Sequence, residues 1–338
     1  MSKKTGEFVP SGLTYITNNI ISKNNILGAP KSEKAKWAKD VRFSDSKETI
    51  FFAGCGYQYS SALESMMSLI RKTDKSFIGS DFAMGVASTF QKKLGIDVGE
   101  MYRKVSTKDS ETEAQPLKDA VKVIQNMGIN LGYLGEEEPC CGGLLFYTGL
   151  REDFTKNAQD TYQKLKSFGV KRIISMVPSC TYTLKTLIPR FFPGFDIEVK
   201  HFAQVVAENI QSRPLRFPKD VKVTYHDPCQ LGRYLGVIEE PRKILKSIKG
   251  IELVEPDWTK GEWATCCGGG GGFEVVFPEI SEMLAMSRVE ELTKTGAQII
   301  VTACPGCVMQ LKDGLKALKK DNVEVLDLAE VIAKSMEV

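Results

Sequence analysis

The sequence contains no uninterrupted run of roughly 18 or more apolar residues, the length that a membrane-spanning helix requires. The N-terminal stretch Met1–Gly6 carries positive charge, but no apolar stretch follows it, so the sequence predicts no signal peptide. We therefore expect a cytoplasmic protein without a membrane span.

The sequence also has no long basic block. Its 45 basic and 42 acidic residues are mixed along the chain and leave a formal net charge of +3, a pattern that does not favour nucleic-acid binding. The 338 residues, of which 42% are hydrophobic and 26% charged, suffice for two globular units with cores of their own. This is not the composition of a disordered or fibrous protein.

Cysteine is abundant, but it is confined to two clusters, whereas the eleven methionines are scattered. In a chain that is not secreted the nine thiols are expected to be reduced, which favours metal binding or redox chemistry over a disulfide scaffold. The second cluster is regularly spaced, with 36 residues in each of its two gaps, and consists of Cys229, Cys266, Cys267, Cys304 and Cys307. The first cluster consists of Cys55, Cys140, Cys141 and Cys180.

Each group of thiols follows a short apolar stretch that is typical of a buried strand, as residues 49–54, 130–134 and 172–177 illustrate. After a polar linker at 211–218 the same order of strands, thiols and helices returns. Alternating strands and helices predict parallel sheets, whose ligands bind beyond the carboxyl ends of the strands. We therefore predict an α/β fold of two pseudo-twofold-related domains, with metal sites at those strand ends near the domain interface.

The two halves form an internal duplication. Residues 198–207 align with residues 324–333. A second alignment, of the residues around Cys180 with those around Cys307, puts Val177 where Cys304 stands. The first site therefore has four thiols and the second has five.

The duplication predicts the domain boundaries. We expect an N-terminal arm at 1–48 that docks onto the body or another subunit, a first cysteine-rich domain at 49–212, and a second one at 219–338. An insertion at about 75–115 accounts for the long gap before Cys140 and could form a lid or a subunit contact.

Four or five thiols that converge from three strand ends form a soft anionic cage, which suits an iron–sulfur cluster or zinc. Structural zinc normally takes two closely spaced pairs, so the vicinal pair and the fifth thiol favour an iron–sulfur cluster at the second site. For the first site both an iron–sulfur cluster and zinc stay possible. Glycines let backbone N–H groups approach a cofactor, and the candidates for this role are Gly268, Gly269 and Gly270. The repeated Cys-x-x-Cys spacing of a bacterial-type cubane motif is absent from the chain.

The order Cys, some three dozen residues, Cys-Cys-Gly, some three dozen residues, Cys-Pro-x-Cys resembles the CCG cysteine-rich family. That family includes the catalytic B and D subunits of heterodisulfide reductases, and the iron–sulfur subunits of complexes that oxidise glycolate, lactate and glycerol 3-phosphate. The resemblance covers roughly residues 48–335. It is sharpened by Tyr-His-Asp-Pro-Cys-Gln-Leu-Gly-Arg at 225–233, by Pro-Arg at 241–242 and by Cys-Cys-Gly-Gly-Gly-Gly at 266–271.

The resemblance implies two redox centres. In the disulfide-reducing members a non-cubane 4Fe-4S cluster lies on each motif, and paired clusters split a disulfide in successive one-electron steps. Carried over by position, the ligands of the second cluster would be Cys229, Cys266, Cys267, Cys304 and Cys307, and those of the first Cys55, Cys140, Cys141 and Cys180. Because Val177 departs from the five-cysteine pattern, an ordinary 4Fe-4S cluster or zinc suits the first site better.

The resemblance further implies an oxidoreductase, the iron–sulfur redox subunit of a heterodisulfide-reductase-like complex that reduces a disulfide or related sulfur substrate. Its partners would be a ferredoxin-like iron–sulfur subunit and a flavoprotein subunit. The alternative is an electron-transfer subunit of a flavin-dependent dehydrogenase, of the 2-hydroxy acid or glycerol-3-phosphate type, that passes electrons to quinone or another carrier. A third hypothesis is a zinc-stabilised interaction protein without redox chemistry.

Ionisable residues near the thiols are further candidates. His226 is the candidate catalytic residue, which could protonate a leaving thiolate, hydrogen-bond cluster sulfur or only order the strand end. We expect Asp227 to cap a turn. Arg233 and Arg242 could offset anionic clusters or a substrate carboxylate, or lie on the surface. The three glutamates at 136–138 are expected to form a solvated loop.

Overall fold

The computed structural model describes residues 10–74, 114–210 and 214–336 and contains two four-stranded sheets, each entirely parallel. The first sheet has the order β2-β1-β3-β4 and is built from β1 (Thr49–Phe52), β2 (Gly132–Tyr133), β3 (Arg172–Ser175) and β4 (Glu198–His201). The second has the order β6-β5-β7-β8 and is built from β5 (Leu215–Tyr225), β6 (Ile248–Leu253), β7 (Ile299–Thr302) and β8 (Glu324–Asp327). The predicted α/β fold of two similar domains is confirmed.

Helices connect the strands in the same way in both halves. Those of the first half are α1 (Ser11–Lys23), α2 (Lys31–Lys34), α3 (Gly54–Gln58), α4 (Ser60–Asp74), α5 (Gln115–Asn126), α6 (Gly143–Tyr147), α7 (Arg151–Ser167), α8 (Pro178–Tyr182), α9 (Ile188–Phe191) and α10 (Phe202–Asn209). Those of the second half are α11 (Glu239–Ser247), α12 (Phe273–Val276), α13 (Pro278–Thr293), α14 (Pro305–Ala317) and α15 (Leu328–Ser335). The described residues include two π-helical turns, at Thr183–Leu187 and Gln230–Tyr234.

The strand registers agree with the duplication that the sequence predicts. Ser175 pairs with His201 at the end of the first sheet, and Thr302 pairs with Asp327 at the same place in the second. His201 and Asp327 each begin the following helix, and each accepts a hydrogen bond from a backbone N–H in a capping box. The two repeats therefore use different side chains for the same cap.

The two halves meet through equivalent pairs of helices. Helix α5 of the first half packs against α15 of the second, and α10 of the first packs against α11 of the second. Because α5 and α11 both connect the first two strands of their sheets, and α10 and α15 both follow the last, these contacts are related by a pseudo-twofold rotation.

The described part of the N-terminal segment packs onto the first half and also contacts α12 of the second. Ile16 and Ile20 of α1 are buried, and Asn24 Oδ1 accepts a hydrogen bond from the backbone N–H of Cys140 at 2.8 Å. Lys34 is also buried, and its amine donates to the carbonyl oxygen of Glu138 at 2.7 Å. These residues contact the main body close to the first group of thiols.

Some expectations from the sequence differ from the structure or lie outside it. Strand β5 already begins at Leu215, within the expected linker, and Pro218 lies where the pairing of β5 with β6 shifts register, a place where a strand tolerates proline. Residues 75–113 of the expected insertion lie outside the described residues. Within the described ranges, no helix is long and apolar enough to cross a membrane.

Candidate metal centre

The four thiols of the first cluster converge at one edge of the first sheet. Cys55 lies in α3 directly after β1, Cys140 and Cys141 lie in the loop after β2, and Cys180 lies in α8 after β3. Because these strands are parallel neighbours, their carboxyl ends bring the side chains together. All four are buried, with Sγ–Sγ distances of 4.0 Å from Cys55 to Cys140 and 3.3 Å from Cys141 to Cys180.

The chemistry of this donor set fits a metal. The hydrogen bond with Cys141 and then burial raise the pKa of Cys140 to about 12, and the bond with Cys140 and burial raise the pKa of Cys55 well above its ordinary value. Four adjacent thiols resist ionisation in this way unless a cation stabilises the thiolates. Two sulfurs on one tetrahedral ion would lie about 3.8 Å apart, which is close to the separations observed.

Glu138 binds the backbone next to Cys55 in the first thiol group. It is buried, which contradicts the solvated loop that we expected at 136–138. Its carboxylate accepts hydrogen bonds from the backbone N–H groups of Ala53 and Gly54 at 2.8 and 2.9 Å, and from Gln58 at 2.8 Å. Burial raises the pKa of Glu138 to about 7. Nothing in a run of three glutamates distinguishes the one that lies inside, because its partners are 80 or more residues away in the chain.

The thiols of the second cluster gather at the equivalent edge of the second sheet. Cys229 follows β5, Cys266 and Cys267 lie in the loop after β6, Cys304 begins α14 after β7, and Cys307 lies in the first turn of α14. The Sγ atoms of Cys267 and Cys307 are 3.2 Å apart. Hydrogen bonds from Cys266, Cys307 and His226 hold the pKa of Cys267 well below its ordinary value. These hydrogen bonds favour the thiolate form of Cys267.

The glycine run after Cys267 packs against the chain itself at its start and lines a cavity at its end. Gly268 has φ +87, and a Cβ there would lie 2.3 Å from the carbonyl oxygen of Ser281, so only glycine fits. Gly269 lies similarly close to Gln310. Of the three candidate cofactor-binding glycines, Gly270 lines a cavity that lies between the two thiol groups.

A cavity of about 220 Å³ lies between the two thiol groups. All four thiols of the first cluster and Cys304 of the second line it, together with apolar side chains that include Leu63, Met66, Leu144 and Met309. At its edge Gly56 packs on Pro305, whose ring would lie 2.7 Å from a Cβ at position 56. The cavity is thus shared by both halves of the molecule.

A hydrogen bond that the sequence did not predict connects the halves beside this cavity. The hydroxyl of Tyr57, two residues after Cys55, donates to the carboxylate of Asp327, which begins α15. Burial is the main cause of the raised pKa of Asp327, about 7. The partners are 270 residues apart, so no local pattern in the sequence could have joined them.

The charged candidates Asp227, Arg233 and Arg242 form hydrogen bonds and ion pairs within the chain. Arg242 is buried and forms a bidentate ion pair with Asp227, at 2.8 Å for both bonds, so it does not face a substrate. Asp227 also accepts from the backbone N–H of Gly261, so its contacts are with residues 15 and 34 positions away rather than with the turn that we expected it to cap. Arg233 donates to the carbonyl oxygens of Glu262 and Ala264 and so holds the loop that leads to the vicinal cysteines.

His226 is buried behind the second thiol group. One ligand atom from each of His226, Cys267 and Cys307 lies within 4.8 Å of the others. Its Nδ1 faces Arg288, a buried residue of α13 that sequence reasoning missed. His226 is not among the described residues that line the cavity.

Comparison with known proteins identifies the family. The chain matches the family model of the cysteine-rich CCG domain over residues 106–185 and 223–312, which together make up about half of it. The first match includes Cys140, Cys141 and Cys180 and leaves Cys55 outside, and the second includes all five thiols of its cluster. The chain belongs to the CCG cysteine-rich domain family.

Several relatives are oxidoreductases by name. The chain is 37% identical over 221 residues to the D subunit of the dihydromethanophenazine:CoB--CoM heterodisulfide reductase of Methanosarcina barkeri, covering 64% of this chain and 54% of that protein. It is 34% identical over 227 residues to the EtfAB:quinone oxidoreductase of Syntrophomonas wolfei, covering 64% and 31%. It is 32% identical over 212 residues to the B subunit of the fumarate reductase (CoM/CoB) of Methanothermobacter marburgensis, covering 63% and 41%. The match thus spans about half of the first relative's length and less of the other two.

Proposed function

We propose that the chain is the iron–sulfur redox subunit of a heterodisulfide-reductase-like complex, which reduces a disulfide or a related sulfur substrate. The observation that carries the proposal is the shared cavity, because all four thiols of the first cluster and Cys304 of the second line it. A small molecule inside would therefore contact thiols from both halves. The similarity to the heterodisulfide reductase of Methanosarcina barkeri supports the same class of reaction.

Two sets of residues would hold the clusters. The second set, Cys229, Cys266, Cys267, Cys304 and Cys307, would hold a 4Fe-4S cluster of the non-cubane type. The first set, Cys55, Cys140, Cys141 and Cys180, would hold a second 4Fe-4S cluster or zinc. Bound clusters of this kind supply single electrons.

The chain's own residues provide a largely apolar cavity for that chemistry. A disulfide takes up two electrons and two protons to give two thiols, and we propose a ferredoxin-like subunit, reduced by a flavoprotein subunit, as the electron source. The cavity wall, which includes Leu63 and Met309, is largely apolar and would limit the contact of the reacting sulfurs with water. His226, with a ring nitrogen within 4.8 Å of the Cys267 sulfur, acts at the second centre as a hydrogen-bond donor to that sulfur.

The test uses anaerobically purified protein, with iron and sulfide quantified and the EPR spectrum recorded. We expect Cys304→Ala to change the spectrum, because Cys304 lies on the cavity wall. Val177→Ala is the matched control at the equivalent position of the first repeat, and it leaves the thiols intact. About one zinc per chain without sulfide, or an unchanged spectrum in Cys304→Ala, would contradict the proposal.

A second candidate function is electron transfer from a flavin-dependent dehydrogenase to quinone or another carrier. The similarity to the EtfAB:quinone oxidoreductase favours it, as does the four-thiol first site, where Val177 replaces the fifth thiol. Addition of 2-hydroxyethyl disulfide to the oxidised protein separates the two functions. A changed EPR spectrum supports disulfide reduction, whereas an unchanged spectrum with intact electron transfer supports the relay.

A further inference from the structure

Arg288 lies inside the second half with its side chain directed at His226. It is 0% exposed, and its Nε lies 3.0 Å from Nδ1 of the imidazole. Its Nη1 lies 2.8 Å from Glu291 and 3.3 Å from Thr265, which hold the guanidinium in this position. A fully buried guanidinium is costly to desolvate, so its placement calls for a reason beyond filling space.

The contact with Arg288 decides where the imidazole carries its proton. An arginine is always protonated in proteins, and its nitrogens only donate hydrogen bonds. Nδ1 of His226 must therefore accept, which leaves it without a hydrogen. The proton of the neutral ring then lies on Nε2.

This tautomer is the opposite of what a metal-binding histidine needs. Such a histidine binds the metal through one nitrogen and donates the N–H of the other to an acceptor. In His226 the other nitrogen faces a donor, so Nε2 keeps its hydrogen and has no lone pair for a metal. A ring nitrogen of His226 lies within 4.8 Å of the Cys267 sulfur, and Nε2 is the nitrogen left with a hydrogen to donate to it.

We propose that Arg288 is a positioning residue that fixes His226 as a hydrogen-bond donor to the Cys267 sulfur and keeps it out of the metal-ligand set. The inference deepens the proposed function and rests on it for its redox consequence. A hydrogen bond to a ligand sulfur stabilises the reduced form of an iron–sulfur centre, so it raises the reduction potential.

The first arm of the test uses the full-length, anaerobically loaded protein labelled with ¹⁵N-histidine. The chain has only two histidines, and His201 serves as an internal reference, because its Nδ1 accepts from the backbone N–H of Ala203 at 3.2 Å. Pulsed EPR of the wild type is expected to show only the weak nitrogen coupling of a hydrogen-bonded ring. The strong coupling of a directly bound nitrogen would overturn the inference.

The second arm is a redox titration followed by EPR. For Arg288→Met we expect the midpoint potential of the second centre to fall by about 59 mV. For a one-electron couple this corresponds to an about tenfold lower ratio of reduced to oxidised centre at a given potential. Arg288→Lys keeps a donor and should restore part of the shift. Arg172→Met, which removes an exposed arginine at the start of β3 in the other half, should leave the potential unchanged. An unchanged potential in a folded Arg288→Met protein would contradict the inference.

The arms separate failure of this inference from failure of the proposed function. If the protein holds no iron and sulfide, the proposed function fails, but the chain is then diamagnetic and ¹⁵N NMR reports the tautomer directly. The wild type is then expected to carry its His226 proton on Nε2, and a proton on Nδ1 would refute the role of Arg288. This measurement decides the matter even if the Arg288 variants do not fold.

Discussion

The buried ion pair of Arg242 gives a sharp test of how the second thiol site is supported. The guanidinium makes two hydrogen bonds to Asp227 at 2.8 Å and two to Glu255 at 2.7 and 3.3 Å, and its side chain is only 6% exposed. In Arg242→Met both carboxylates lose their charged partner, and that of Asp227 stays buried. We expect the free energy of unfolding to fall by about 3–5 kcal/mol, the usual effect of breaking one side of a buried pair.

An exposed pair in the same protein serves as the control. Arg172 and Glu198 lie 2.9 Å apart on neighbouring strands, with 53% and 46% of their side chains exposed. Arg172→Met should cost less than about 1 kcal/mol, because solvent screens such a pair. Urea unfolding of both variants, followed by circular dichroism, compares the two costs directly.

A double mutant distinguishes a lost ion pair from lost packing. Asp227→Asn together with Arg242→Met removes the buried charge of Asp227 along with its partner, so it should recover part of the stability that Arg242→Met loses. Equal and small losses in Arg242→Met and Arg172→Met would refute this account of Arg242. It would then have to face solvent or a ligand, as the sequence also allowed.

Three further predictions concern other parts of the molecule. Burial raises the pKa of Asp327 from its ordinary 3.8 to about 7, so its contribution to stability is complete below 3.8 and is lost as the pH rises through 7, on the order of 4 kcal/mol. Asp327→Asn should therefore flatten the pH profile of thermal stability between these values, and an unchanged profile would contradict the shift. Val177→Cys should give the first site a fifth thiol at the position equivalent to Cys304, with a stability loss of about 1 kcal/mol and, in loaded protein, an altered EPR signal. An EPR signal identical to that of the wild type would count against the equivalence. Gly268→Ala should destabilise the protein far more than Gly296→Ala, since both have positive φ but only Gly268 faces a backbone oxygen at 2.3 Å, and comparable melting temperatures would refute this.

The fold could be predicted because its signals are local. Short apolar runs that alternate with helices specify buried parallel strands, and the cysteines that follow them must lie at one edge of a sheet. The equivalence of Val177 and Cys304 was also accessible from the sequence. In the structure each is the extended residue before a helix that starts with proline, directly after the third strand of its half.

The supporting residues could not be predicted because their partners are distant in the chain. Glutamates 136–138 look alike in sequence, yet only Glu138 is buried, because it binds backbone amides at residues 53 and 54. From the sequence Arg242 could equally have been a surface cation, and no sequence pattern indicated that Arg288 is buried beside the second thiol group. Whether a charged side chain is solvated or buried depends on what packs around it, and that is not encoded near it.

The sequence by itself determined the class of fold, the duplication and the grouping of nine thiols, since each follows from spacing and from short-range patterns of burial. Only the tertiary structure decided that Cys304 lines one cavity with the four thiols of the first cluster, that Tyr57 reaches Asp327 across the two halves, and that Arg288 faces His226. These contacts join residues 62 to 270 positions apart. They depend on how two complete sheets and their helices dock, because a hydrogen bond acts over about 3 Å and requires both partners to be in place.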